Sequence, residues 1–176
     1  MKVLLNKVRQ KTGKWQFVIV FGVLYIISQI VITSILHDLD PKQVLKLQTS
    51  LSTDLFCEII HLWNNDGMLD LYKKHFFFDF PHPIWYSVVL ISFISKIFNL
   101  NNTNTRFNYL ILFPFFAGLL DLFENILHLI ILSDINNISK QTVIISGIAS
   151  NIKWVFLLIS IVIMSAKYNI VKNNKS

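Results

Sequence analysis

Between Tyr109 and Leu132 an otherwise apolar run carries Asp121, Glu124, Asn125 and His128. At 100° per residue, Asp121, Asn125 and His128 share one helical stripe, with Glu124 at its edge. The next apolar run, Val143 to Ala166, carries Asn151 and Lys153. A charged group inside a bilayer costs at least about 2.5–3.5 kcal/mol on insertion scales, so this face must turn away from lipid. At about 1.5 Å per residue, Asp121 and Lys153 both fall within roughly 3 Å of the middle of their runs. Glu124, Asn125 and Asn151 fall about 5 Å further out, and His128 about 11 Å out, near the boundary. Neighbouring antiparallel helices with a short turn pack side by side, so Lys153 can meet Asp121 or Glu124.

Two carboxylates then face one lysine. The acid without a salt-bridge partner holds a proton, or bonds Asn125, Asn151, Tyr86 or a cation. Asp38 and Asp40 end the first apolar run, His75, Asp79 and His82 lead into the second, and Tyr86 lies one turn inside it. A polar cavity open to the outer face and floored by Asp121, Glu124 and Lys153 follows. Each group also has a structural reading. Asn125 and Asn151 suit helix-packing amides, and His128 suits an interfacial histidine. His75, Asp79 and His82 suit a capped helix start, and Asp54, Glu58, Asp66 and Asp70 a solvated face. Glu124 and His128, at i and i+4, are weak candidates for a metal, with His82, His75 or Asp79 completing the set. No cofactor is predicted. Three functions remain open. One is binding or moving a small molecule or lipid at the acid–lysine site. The second is an intramembrane lipid-modifying enzyme using acid/base or metal chemistry. The third is a structural or assembly subunit.

The elements that position these residues follow from composition. Of 176 residues, 53% are hydrophobic and only 15% charged, against about a quarter charged in soluble domains. Such a surface needs lipid as its solvent. A bilayer core takes roughly 20 apolar residues in helix, which places spans at about 15–36, 81–98, 109–132 and 143–166. The first run exceeds the apolar core of a signal peptide and no small-x-small cleavage pattern follows it, so it reads as a span. Pro83 suits the first turn of the second. In the polar segment 37–80, Pro41 starts a short helix after Asp40. Leu51, Leu55, Ile59 and Leu62 recur at helical spacing, so 52–63 reads as an amphipathic helix. Asn64, Asn65, Asp66 and Gly67 stop it, and a further helical piece covers 68–75. The fold class is all-α: an integral membrane four-helix bundle, a single membrane domain, with an extracytoplasmic amphipathic segment between spans 1 and 2.

The formal net charge is +6. Lys2, Lys7, Arg9, Lys11 and Lys14 precede the first span, Lys167, Lys172 and Lys175 follow the last, and Lys96 and Arg106 flank the second turn. The acidic residues collect in 37–80 and at Asp134. By the positive-inside rule both termini are cytoplasmic and 37–80 lies outside, in the cell (inner) membrane. No basic patch is interleaved with aromatics outside these flanks, so nucleic acid is not an expected partner. The expected partners are the bilayer and a lipid or small-molecule ligand, with a homo-oligomer or a larger complex left open. The lone Cys57 excludes an intrachain disulfide or a cysteine-based metal cluster and reads as a small buried residue. Asn137-Ile138-Ser139 is a formal glycosylation triplet.

The layout resembles a group of small, uncharacterised bacterial four-span membrane proteins. The resemblance rests on Asp79 to Tyr86 at the entry to the second span, Asp121-Leu122-Phe123-Glu124-Asn125 in the third and Lys153-Trp154 in the fourth. It extends over most of the chain and implies a fold, with no activity attached. Residues 25–33 resemble the first span of sterol-isomerase and sigma-2-like proteins. Those families carry a key acid in the second span, where this chain has none between Pro83 and Ser95.

Overall fold

The computed structural model describes residues 1–173, with side chains described as far as Ala166. The chain runs through α1 (Lys2–Thr12), α2 (Trp15–Ile35), α3 (Pro41–Thr49), α4 (Thr53–Asn65) and α5 (Leu69–Asp79). It continues through α6 (His82–Leu100), a 3₁₀ stretch (Thr105–Ile111), α7 (Leu112–Ser133) and α8 (Lys140–Asn173). Among the described residues, four stretches are long and apolar enough to cross a membrane: Trp15–Ile35, His82–Leu100, Thr105–Ser133 and Lys140–Ala166. The distribution of polarity is inverted relative to a soluble protein. Ile19, Val23, Ile27, Ile30, Phe123, Ile126 and Leu158 are exposed, while Asp121, Glu124, Asn125, His128 and Lys153 are buried. The protein is an all-α membrane helical bundle. Of the C-terminal basic flank, Lys175 lies outside the described residues, as do the side chains of Lys167 and Lys172.

Two compact units divide the chain, and the long helices contribute to both. The first comprises Met1–Ile26, Pro83–Gly118 and Trp154–Ser176. Its core is Ile94, Phe98 and Ile111, with Val8, Phe107 and Leu110 against them. The leader is a separate helix, α1, which ends at Gly13 and docks beside the 3₁₀ stretch. Arg9 fixes it there. Its guanidinium is buried and donates to Asn99 Oδ1 (2.7 Å), Phe98 O (2.6 Å), Thr103 O (2.8 Å) and Asn108 Oδ1 (3.0 Å). A residue that reads as a positive-inside charge is therefore a structural latch, and burial lowers its pKa.

The second unit comprises Ile27–His82 and Leu119–Lys153. Its core is built from α3, α4 and α5 (Leu47, Phe56, Ile59, Ile60, Trp63, Leu69, Tyr72, Phe76) on Ile131, Leu132 and Val143. Asp40 caps α3 by accepting from Lys42 N (2.9 Å), with Pro41 in the first turn. Ser52 caps α4, and Gly67 after its end has φ +71°, the left-handed region glycine enters without penalty. The buried face of α4 is Phe56, Ile59, Ile60 and Trp63. Leu51 and Leu62, expected on that face, are exposed, because the larger aromatic rings claim the core against α5. α5 runs past the expected stop at His75 to Asp79.

The turn between α3 and α4 sits against α8 rather than beyond its end. Asn151 Nδ2 donates to Thr49 O (2.9 Å) and to Gly147 O (2.7 Å). Ser50 O occupies the place where a side chain on residue 147 would begin, so glycine is required there. Ser50 Oγ accepts from Ser52 N (3.0 Å) and donates to Ser52 O (3.2 Å), which closes the turn on itself. At 1.5 Å per residue, Asn151 lies about 16 Å along α8 from Lys140. Part of the 37–80 segment thus packs along the side of α8 as a helical hairpin.

Candidate functional site

The buried charges meet in the second unit. Lys153 Nζ donates to Asp121 Oδ1 at 2.9 Å and to Glu124 Oε2 at 2.6 Å. The side chains are 5%, 11% and 1% exposed respectively, so this is a buried ion triad and not a surface pair. One lysine bridges both acids because Asp121 and Glu124 are three residues apart on one helix, a single turn facing one point on α8.

A third carboxylate joins them. Asp79, at the end of α5, is 14% exposed and within electrostatic reach of Asp121 and Lys153. Asn125 Nδ2 donates to the Asp79 carbonyl (3.3 Å) and hydrogen-bonds its carboxyl group as well. Burial, with Asp121's charge adding, pushes the Asp79 carboxyl up to about 7; Lys153 and Asn125 pull the other way. His75, one turn earlier, presents Nε2 to Asp79 Oδ2 at 3.8 Å. Its Nδ1 donates to the Tyr72 carbonyl. That bond puts a proton on Nδ1, so in the neutral ring Nε2 turns a lone pair toward Asp79, at a separation too long for a hydrogen bond. Burial pulls His75 down to about 4, against the opposing effect of the Tyr72 carbonyl.

His128 is buried within the protein, 1% exposed, under side chains of α4 and α5. Its Nδ1 is 2.8 Å from Tyr72 Oη, and Phe56 meets it edge-on. Burial, followed by the charges of Glu124 and Asp79, raises the Tyr72 pKa well above its usual value. One side of the site stays unsatisfied: Glu124 Oε1, His128 Nε2 and the hydroxyls of Ser146 and Ser150 have no hydrogen-bond partner among the described residues. Ser150 stands beside Glu124 and acts on it electrostatically, without an ordinary hydrogen-bond geometry.

Of the residues expected at the site, Asp121, Glu124, Asn125, Lys153 and Asp79 come together, and His128 stands one turn along. Asn151 pins the hairpin instead. Tyr86 is buried in the first unit. His82 opens α6 with Nδ1 2.8 Å from Ser28 Oγ. Asp38 and Asp40 are exposed, the first beside His37 and the second capping α3. Asp54, Glu58, Asp66 and Asp70 are exposed, as a solvated face requires, and Cys57 is half-buried. No three His, Cys, Asp or Glu side chains among the described residues converge as metal ligands. Tyr72 is the site residue that the sequence reading does not single out; its place one turn before His75 on the same helix is the signal available for it.

The fold and this site define a class: a polytopic α-helical membrane protein with a buried acid–lysine triad. No family model matches the sequence, and neither a curated protein nor a solved structure matches it.

Proposed function

We propose that this membrane protein, with both termini cytoplasmic, binds a small solute or lipid head group bearing a positive charge at the acid–lysine site. Asp79 then gives up a proton as the ligand enters. One observation carries this reading: two buried carboxylates, Asp121 and Glu124, contact one ammonium, Lys153, and a third, the mostly buried Asp79, lies within its electrostatic reach. With all groups ionised the cluster holds two surplus negative charges, and buried charge must be paired or neutralised. A proton neutralises at most one charge at a time. A ligand ammonium replaces it and finds an unpartnered acceptor in Glu124 Oε1. The buried imidazoles at the rim, His75 and His128, leave the cation's charge unopposed there when neutral.

The test is thermal unfolding of purified protein with ethanolamine, choline and phosphatidylethanolamine, together with proton release in weak buffer. At least one probe should stabilise the wild type, release a proton, and do neither in Asp121→Asn or Glu124→Gln. If both variants respond as the wild type does, the reading fails.

A further inference from the structure

The first unit carries a second candidate site, at the opposite pole of chemistry. Tyr109, Leu112, Phe113, Phe116 and Phe156 line an open groove of about 260 Å³ with almost wholly apolar walls. It lies on two stretches apolar enough to cross a membrane. Phe156 meets Phe113 at 5.5 Å and Phe116 at 6.5 Å between ring centroids, so packed rings shape most of the wall, with Leu112 beside them. Tyr109, half exposed, stands at the end of the groove nearest the turn between the second and third spans.

That end is basic. Tyr109 belongs to the 3₁₀ stretch Thr105–Ile111. Three residues per turn put Arg106 directly beside Tyr109 on the same face. Arg106 is exposed, and its guanidinium lies over the Phe107 ring at 4.7 Å to the centroid. α1 docks at the same end through Arg9. Its roll, fixed by those bonds, turns Lys7 and Lys11 outward on the face opposite Arg9, and Lys14, just past the end of the helix, is exposed as well. An apolar groove at membrane level that ends in cationic side chains has the polarity of a lipid with an anionic head.

We propose that the groove holds one acyl chain of an anionic phospholipid, whose phosphate sits at Arg106 within the positive field of α1. The groove excludes a soluble anion as the sole ligand, since inorganic phosphate uses only the Arg106 end. Tyr109 is placed to donate from its hydroxyl at the head-group level, where aromatic rings with one polar edge collect.

The experiment is native mass spectrometry of the full chain released from bilayers of equal phosphatidylglycerol and phosphatidylcholine, counting retained lipid of each kind. The wild type should keep phosphatidylglycerol in preference. Arg106→Gln should lower that preference about fivefold, the weight of one cation near an anionic surface. Leu112→Trp, which fills the groove, should abolish retention of both lipids while helicity by circular dichroism is unchanged. Lys42→Gln with Lys73→Gln removes exposed cations from α3 and α5 and should change nothing. Added inorganic phosphate should not displace the lipid. Equal retention of the two lipids by the wild type, an unchanged preference in Arg106→Gln, or full retention in Leu112→Trp would each overturn the proposal. Displacement by phosphate would do so too.

Discussion

Replacing Lys153 with methionine keeps the stem of the side chain and removes its charge. The two contacts it makes, at 2.9 and 2.6 Å, are each worth about 6 kcal/mol of gross attraction at an effective dielectric near 20. Desolvation of three ions takes back several kcal/mol per ion, so the triad's net contribution is far smaller. The variant, however, keeps the desolvation and loses the attraction. Glu124, with a side chain 1% exposed, and Asp121, at 11%, are left as buried acids without a cation. Loss of one member of a buried pair costs about 3–5 kcal/mol, and that is the expected destabilisation. Reversible unfolding in mixed micelles, followed by far-ultraviolet circular dichroism as denaturing detergent is titrated in, measures it. The companion triple variant Asp121→Leu, Glu124→Leu, Lys153→Met should recover most of the loss, because apolar replacement of a whole buried ion set is neutral or better. It should also lose every response to the cationic probes. A loss below about 1 kcal/mol in Lys153→Met, the range of surface pairs, would refute the reasoning.

Three further outcomes follow from other contacts. Asp79, raised to about 7, binds more protons folded than unfolded, so its contribution falls as pH rises from about 4 to 7. His75, lowered to about 4, has the opposite sign between about 4 and 6.5. In pH-dependent unfolding, Asp79→Asn should therefore steepen the rise of stability with pH and His75→Gln the fall; identical slopes in both variants would contradict the assignment. Asn151→Leu removes the donor to Thr49 O and should cost about 1–3 kcal/mol, with faster amide exchange at residues 49–52 and little change at Trp63. Arg9→Met leaves four acceptors without their donor. It should release α1 to proteolysis between Lys11 and Lys14 while the second unit keeps its unfolding midpoint.

The spans were readable because each is a long run with one solvent, lipid, and hydropathy reports that directly. Asp121, Glu124 and Lys153 were readable for the same reason: charge within such a run has to meet its complement on a neighbouring helix. What the sequence hid was the docking of part of the segment 37–80 along α8. A helix of two or three turns with mixed polarity looks the same beside a span as beyond it. That docking is a tertiary contact, in Asn151 reaching Thr49 across 102 residues. The choice of face on α4 failed likewise, since leucine spacing marks an apolar stripe but not which aromatic rings outcompete it. Arg9 read as one of five flank charges, because nothing local distinguishes a buried guanidinium from a solvated one.

The triad also imposes an order on the assembly of the chain. Glu124 and Lys153 are 29 residues apart. At about 5–20 residues per second, a few seconds of synthesis separate them. Throughout that interval the third span carries two acids whose partner cation, Lys153, is not yet made. The hairpin likewise waits for Asn151 and Gly147 before its tip has a surface to rest on. A nascent chain stalled before the fourth span therefore displays uncompensated acids and an undocked hairpin together. The finished chain differs from it in both respects, with the acids paired and the hairpin docked.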